Sequence, residues 1–466
     1  MIRIISAIIT FLWLFSVTGQ IRAEWKAGTG KASITPATPM PMAGYASRGG
    51  KHAEGKLTEL WAKACLLEDE SGHRALLITL DLVGIDRKLG ADIVEQLGAE
   101  FDLKREEIAL NTSHTHTGPV VQGNLRPMHE ELLAPEDKKL VSEYATLLKQ
   151  QIVAATKMAA LNLAPATIEW GSGTASFAAN RRNNPEQEVP QRRIDGTLIG
   201  PVDHSVPVLH ISQNDKTTAL IFGYACHNTT LSSFEWSGDY AGFAQEYIES
   251  QIPGCLAMYW AGCGADQNPL PRREVQFARQ YGAELGDAVI KVLNGKLRSL
   301  PSTLTTNYHE IDLKFDTLPS TDTLTSDAES SNVYVASRAK TLLKQVQAGQ
   351  PLSPTYPYPV AVWKLGNEVT WVFLGGEVVV DFSLRLKQDL AAEENSDTHI
   401  WVAGYSNDVM AYIPSRRVLS EGGYEGGGAM VYYGLPAPWH PDVEEDIASE
   451  VGRQLKQHAA ETSSAR

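Results

Sequence analysis

The sequence predicts an α/β fold of mixed β-sheets with flanking helices, and two observations carry that expectation. Short apolar runs of strand length recur at 60–68, 74–83, 219–224 and 255–260. The last two are almost continuously apolar, as strands covered on both faces are. Longer stretches with helical spacing lie among them at 86–103, 135–160, 242–251 and 273–293, and such alternation is the pattern of α/β architecture. The chain has 466 residues, 43% hydrophobic and 21% charged. That is ample material for a core, and it allows one large elaborated domain or two closely packed halves.

Residues 1–23 read as a signal peptide: Arg3 precedes a mostly apolar stretch, and Ile21-Arg22-Ala23 ends in a small residue suited to cleavage. The stretch is short for a membrane span, which leaves an uncleaved N-terminal anchor as the alternative, and no later segment is long and apolar enough. The protein is therefore expected to be exported, secreted or periplasmic. Residues 25–50 suggest a strand and then an irregular loop. The runs 60–68 and 74–83 form a hairpin around Asp69-Glu70-Ser71-Gly72-His73. Residues 106–111 make a further strand. A Ser/Thr/Asp-rich stretch, 316–331, reads as a surface connection. A helix follows at about 332–348, then a proline-rich stretch from Pro351 to Pro359, then a hairpin-like unit, 360–365 and 368–374, about Gly366-Asn367. The glycine-rich segment 422–428 has no G-x-G-x-x-G or P-loop pattern and follows no clear strand, which argues against nucleotide binding.

The formal charge of −14 and the absence of a Lys/Arg run argue against a nucleic-acid partner. Cys65, Cys226, Cys255 and Cys263 show no C-x-x-C spacing. They are expected to be small buried thiols with at most one bridge.

The most informative stretch is Asn111-Thr112-Ser113-His114-Thr115-His116-Thr117-Gly118-Pro119. If the preceding strand continues, His114 and His116 share a face, because strand side chains alternate with period two. Three other segments join them: His227, after the apolar run ending at Tyr224; Glu377, set between a glycine pair and a valine run; and Gly404-Tyr405-Ser406-Asn407-Asp408, followed by Tyr412. A carboxylate in such a setting is costly to bury unless something positive holds it. Two histidines and a carboxylate with an open position are the ligand set of a catalytic zinc site. Zinc there would lower the pKa of water towards ~7 and polarise a carbonyl. Taken singly, His227, Glu377 and Tyr412 are equally compatible with structural roles.

Together these segments resemble the neutral/alkaline (non-lysosomal) ceramidase family, whose members hydrolyse the amide of N-acylsphingosine. The resemblance runs from Ile34-Thr35-Pro36 and Met42-Ala43-Gly44-Tyr45 through 113–119, Asn180-Arg181, His227, 237–242 and 264–269, to Gly376-Glu377, 404–412 and Tyr424-Glu425-Gly426-Gly427. It implies one Zn²⁺ on His114, His227, Glu377 and Tyr412. It also implies that His116 stands near the scissile carbonyl, that Tyr424 stabilises the oxyanion and that Arg181 lines the substrate site. Asn268 stands where the family carries a serine regarded as catalytic, and an amide cannot act as that nucleophile. Asn268 is then a hydrogen-bond donor to substrate or oxyanion, or the ceramide reaction is lost. The chain ends soon after the Tyr424 segment, so residues 24–460 are expected to form the catalytic domain without a C-terminal immunoglobulin-like domain. The expected partner is a small-molecule or lipid substrate, with transient membrane-surface contact. The alternatives are an esterase or amidase for a smaller substrate, and a non-catalytic lipid- or glycan-binding protein that keeps the metal.

Overall fold

The computed structural model describes residues 24–393 and 399–464. The expected leader, 1–23, lies outside the described residues. Two sheets dominate. The larger runs, in spatial order, Leu256–Ala261, Lys216–Tyr224, Ser205–Gln213, Ala164–Thr174, Trp25–Ser33, Trp61–Glu68, Arg74–Leu80 and Ile108–Thr112. Its two outermost pairs are parallel and the inner ones antiparallel, so the sheet is mixed, as expected. The smaller sheet orders Leu304–Lys314, Thr355–Leu365, Val369–Leu374 and His399–Ala403.

The strand patterns explain the layering. In Trp61–Glu68, Ala62, Ala64 and Leu66 face a core shared with the helix Pro135–Leu161. The alternate residues Cys65 and Leu67 face a second core that holds Trp363, Trp371, Phe373 and Trp401 of the smaller sheet. Both faces are thus buried, so the run is apolar throughout rather than alternating. Gly28 admits the helix: an added Cβ would lie 2.1 Å from the Ala159 carbonyl oxygen. Asp239–Gln251 and Val275–Leu293 cover the other wing of the large sheet, and Val380–Glu393 and Val443–Ser464 cover the small one. The result is helix, sheet, sheet, helix, with tryptophans between the sheets. Trp371 lies 5.3 Å from Trp260 and 5.2 Å from Trp401, ring centre to ring centre.

Most expected elements recur with shifted ends, and three expectations change. The strand before the paired histidines stops at Thr112. The stretch 316–331 contains a short helix, Thr321–Asp327, because Ser320 Oγ caps it from Thr323 N–H (3.1 Å) and Leu324 packs against Leu342 of the next helix. The proline-rich stretch ends inside a strand, Thr355–Leu365. Pro357 and Pro359 precede the point where pairing with Val369–Leu374 begins, so that edge of the strand needs no N–H there. All four cysteines are free and buried. Among the described residues no helix is long and apolar enough to cross a membrane.

Candidate metal centre

Strand ends build the site. Ile108–Thr112 and its parallel neighbour Arg74–Leu80 finish together, as do Lys216–Tyr224 and Leu256–Ala261. Buried Asn111 ties these ends to the smaller sheet. Its Oδ1 accepts from Ala261 N–H (2.8 Å), and its Nδ2 donates to the Gly404 carbonyl (2.8 Å) and Ser406 Oγ (3.1 Å). No motif announced this role.

Because the strand has ended, pleat alternation does not bring the histidines together. His114 adopts φ 59°, in the left-handed region, which costs an L-residue of order 1–2 kcal/mol. The turn brings the His114 and His116 Nε2 atoms to 3.1 Å. Gly44 (φ 94°) packs on the His116 ring: a Cβ there would meet it at 2.4 Å. Tyr45 touches the same ring edge-on at 4.8 Å, and Arg48 donates to the His116 carbonyl. His227 follows the end of its strand, with its N–H bonded to the Gln267 carbonyl (2.8 Å). Glu377 and Tyr412 are direct partners in a short parallel pair, Glu377–Val378 with Tyr412–Ile413, so their side chains share a face.

Proton bookkeeping at the cluster is decisive. His114 Nδ1 lies against the Val83 carbonyl, and His227 Nδ1 is 3.3 Å from that of Gly264. A carbonyl only accepts, so each Nδ1 carries the hydrogen, the Tyr405 hydroxyl 3.4 Å from His227 Nδ1 then serving as an acceptor, and each Nε2 presents a lone pair. The two Nε2 atoms are 3.1 Å apart. Glu377 Oε2 lies 3.0 Å from that of His114 and 3.4 Å from that of His227, and it receives no hydrogen bond. Three facing lone pairs repel one another unless a cation sits among them. Two imidazole nitrogens and a carboxylate oxygen suit zinc, better than they suit magnesium or calcium. The three imidazoles of His114, His116 and His227 also lie within mutual ligand reach, 4.8 Å. His116 differs from the other two because its Nδ1 is buried with no partner to fix the tautomer.

Around the cluster, Tyr412 stacks on His227 (ring centres 6.4 Å apart, planes 11°). Its hydroxyl accepts from Arg181 Nη2 at 3.1 Å. Arg181 also donates to Asn268 Oδ1 (3.3 Å) and Glu425 Oε1 (2.7 Å). Tyr424 packs on Tyr412 at 5.2 Å. All eight expected site residues therefore fall in one connected region. Burial, with Arg181 and the other imidazoles, holds His227 well below the usual histidine range; burial, His114 and Arg48 do the same to His116. Burial and Glu377 raise the Tyr412 hydroxyl well above its ordinary value. Burial works to lower Arg181, but Tyr412 and Glu425 outweigh it and hold the guanidinium well above its usual value.

Sequence reasoning missed several members. Tyr433 donates to Glu377 Oε1. Asp266 accepts from Asn180 Nδ2 (3.0 Å) and Val380 N–H (2.8 Å), joining the end of the short strand Ala178–Asn180, just before Arg181, to the helix after Glu377. Glu425, part of the quoted segment 424–427, anchors both Arg181 and Arg182. Asp266 and Glu425 sat in segments that carry the resemblance, but with no role of their own; Tyr433 sat in none.

The family model described as "Neutral/alkaline non-lysosomal ceramidase, N-terminal" matches residues 25–258. Neutral ceramidase of Drosophila melanogaster is 28% identical over 116 residues, 24% of this chain and 16% of that protein. Neutral ceramidase of Drosophila pseudoobscura pseudoobscura is 24% identical over 277 residues, 56% of this chain and 38% of that protein. The chain thus spans well under two thirds of the curated relatives it matches. Among solved structures, neutral ceramidase from Pseudomonas aeruginosa superposes with TM-score 0.69 at 17% identity, covering 92% of this chain and 73% of that one. A structure titled "Ceramidase complexed with C2" gives 0.69 at 18%, covering 92% and 74%. At these identities the likeness is one of fold.

Proposed function

The chain belongs to the neutral/alkaline non-lysosomal ceramidase family, and from that premise we propose that it is an exported, zinc-dependent hydrolase of N-acyl amides. The convergence of two imidazole lone pairs and an unpartnered Glu377 oxygen carries this reading. His114, His227 and Glu377 would hold the ion, with Tyr412 beside them. A bound Zn²⁺ supplies Lewis acidity towards a carbonyl oxygen and makes water a nucleophile near neutral pH.

The chain's own groups do the rest. Water adds to the amide carbon, the C–N bond breaks, and the leaving nitrogen takes up a proton, giving a carboxylic acid and an amine. His116 is the proton carrier: its Nε2 faces the cluster, and its Nδ1 is committed to no partner. Asn268 accepts from Arg181 through Oδ1, which leaves its amide hydrogens to donate to the oxyanion together with Tyr424. Well-placed donors of this kind contribute ~3–4 kcal/mol each. Arg181 fixes the orientation of Asn268 and Tyr412 and lines the substrate site. Residues 24–460 are read as the catalytic domain behind a leader at 1–23.

His114→Ala tests the reading. We expect it to lose the metal, measured by elemental analysis, and at least a thousandfold in hydrolysis of a short-chain ceramide or another N-acyl amide. A variant with full zinc content and wild-type turnover would overturn the assignment.

A further inference from the structure

Beside the cluster lies a cavity of about 420 Å³, in the size range of small-molecule sites, roughly 300–1,000 Å³. It meets the metal centre through Arg181, Asn268 and Tyr424. Its wall is not suited to a hydrocarbon chain. Its apolar residues are Pro185, Leu270 and Tyr424, set among arginines, glutamates and asparagines whose charged and amide heads face the same space. An alkyl chain laid there would strip water from charged groups and return no hydrogen bonds.

Nor does the wall present a free cation to an anionic ligand. Glu425 bridges Arg181 (2.7 Å) and Arg182 (2.6 Å), and Glu186 bridges Arg272 (2.8 Å) and Arg273 (2.5 Å). Each of these four guanidiniums bonds a carboxylate, with three carboxylates among them once Glu421 on Arg182 (3.0 Å) is included. Such pairs form fixed, alternating arrays of donors and acceptors. They suit groups that both donate and accept, which are hydroxyls. Tyr424, 47% exposed, adds an open aromatic face against which the C–H side of a sugar ring packs.

The geometry points to a hydroxyl-rich leaving group: the substrate is an N-acylated amino sugar, its acyl carbonyl at the metal centre and its ring against Tyr424 between the two Arg–Glu forks. This deepens the hydrolase reading and rests on it for the reaction. The amide is cleaved as before, and the products are the free acid and the amino sugar.

The test has a kinetic and a binding arm. The zinc-loaded protein is assayed on N-acetylglucosamine and its β-1,4-linked dimer, on C2-ceramide, and on an N-acetyl amino acid. Binding of the dimer to wild type, Arg272→Met and Glu186→Gln is measured by calorimetry. We expect kcat/KM for the amino sugar to exceed that for C2-ceramide at least tenfold, and both variants to weaken dimer binding at least tenfold. Equal or better cleavage of C2-ceramide or of the amino acid overturns the amino-sugar inference and leaves the hydrolase reading standing. Dimer binding that depends on Arg272, with no substrate cleaved, keeps the inference for recognition and removes the hydrolase. No cleavage and no binding overturns both.

Discussion

Glu377 is only as good a ligand as its orientation allows, and the group that orients it is Tyr433, whose hydroxyl donates to Oε1 and leaves Oε2 facing the imidazoles. Outer partners of this kind commonly carry ~10–100-fold in metal affinity. Tyr433→Phe should therefore weaken zinc binding by about that factor in a chelator competition, with the fold intact by circular dichroism. An unchanged affinity would remove Tyr433 from the site. A second residue gives a pH signature. Burial pushes the Asp408 carboxyl from 3.8 up to about 7, although Tyr356 O–H donates to it (2.7 Å). The folded state then binds more protons than the unfolded state between these values. Asp408 thus contributes stability that is full below 3.8 and lost as pH rises through about 7. In Asp408→Asn this slope should vanish, so the variant gains a few degrees of melting temperature on wild type above neutral pH. Parallel pH profiles of the two proteins would contradict the argument. Tyr433 stands in no motif, and although Asp408 closes the quoted segment 404–408, its burial is recognised only once its neighbours are known.

At the scale of elements, the turn after Ile108–Thr112 and the loop carrying Gly44, Tyr45 and Arg48 act on one imidazole. Arg48 is buried, and among the described residues no carboxylate pairs with it. It donates to the Ala43 (2.7 Å) and Ser233 (2.9 Å) carbonyls as well as to that of His116, and burial lowers it to about 10. Gly44→Ala would set a Cβ against the His116 ring at a positive φ. It should lower kcat at least tenfold while zinc content stays near one per chain. Loss of zinc together with activity would mean the loop supports the metal rather than His116. The histidine pair was visible in the sequence as composition, but the reason offered for it, a continuing strand, was not the physical one. The left-handed turn at His114 does the work, and a positive φ at histidine leaves no sequence signal. The strands and helices were legible because their apolar spacing is enforced by burial. The helix Thr321–Asp327 was not, because its seven residues bury mainly Leu324.

For the whole molecule, the site depends on two sheets stacked so that their strand ends meet, with Asn111 as the cross-link and the Trp260, Trp371 and Trp401 cluster as the packing between them. Trp371→Ala should destabilise the fold by ~3–5 kcal/mol, measured by denaturant unfolding. A cost under about 1 kcal/mol would show that the sheets do not rely on this contact. The α/β class and the four distant segments were legible from the sequence. How two sheets bring those segments to one point was not, since it is set by contacts far apart along the chain. The most direct test of the account is anomalous diffraction from crystals of the purified protein, at energies on both sides of the zinc edge. One peak is expected, among His114 Nε2, His227 Nε2 and the Glu377 carboxylate, that vanishes below the edge. A fully folded crystal grown with zinc that shows no such peak, or shows it beyond coordinating reach of those three groups, would contradict it.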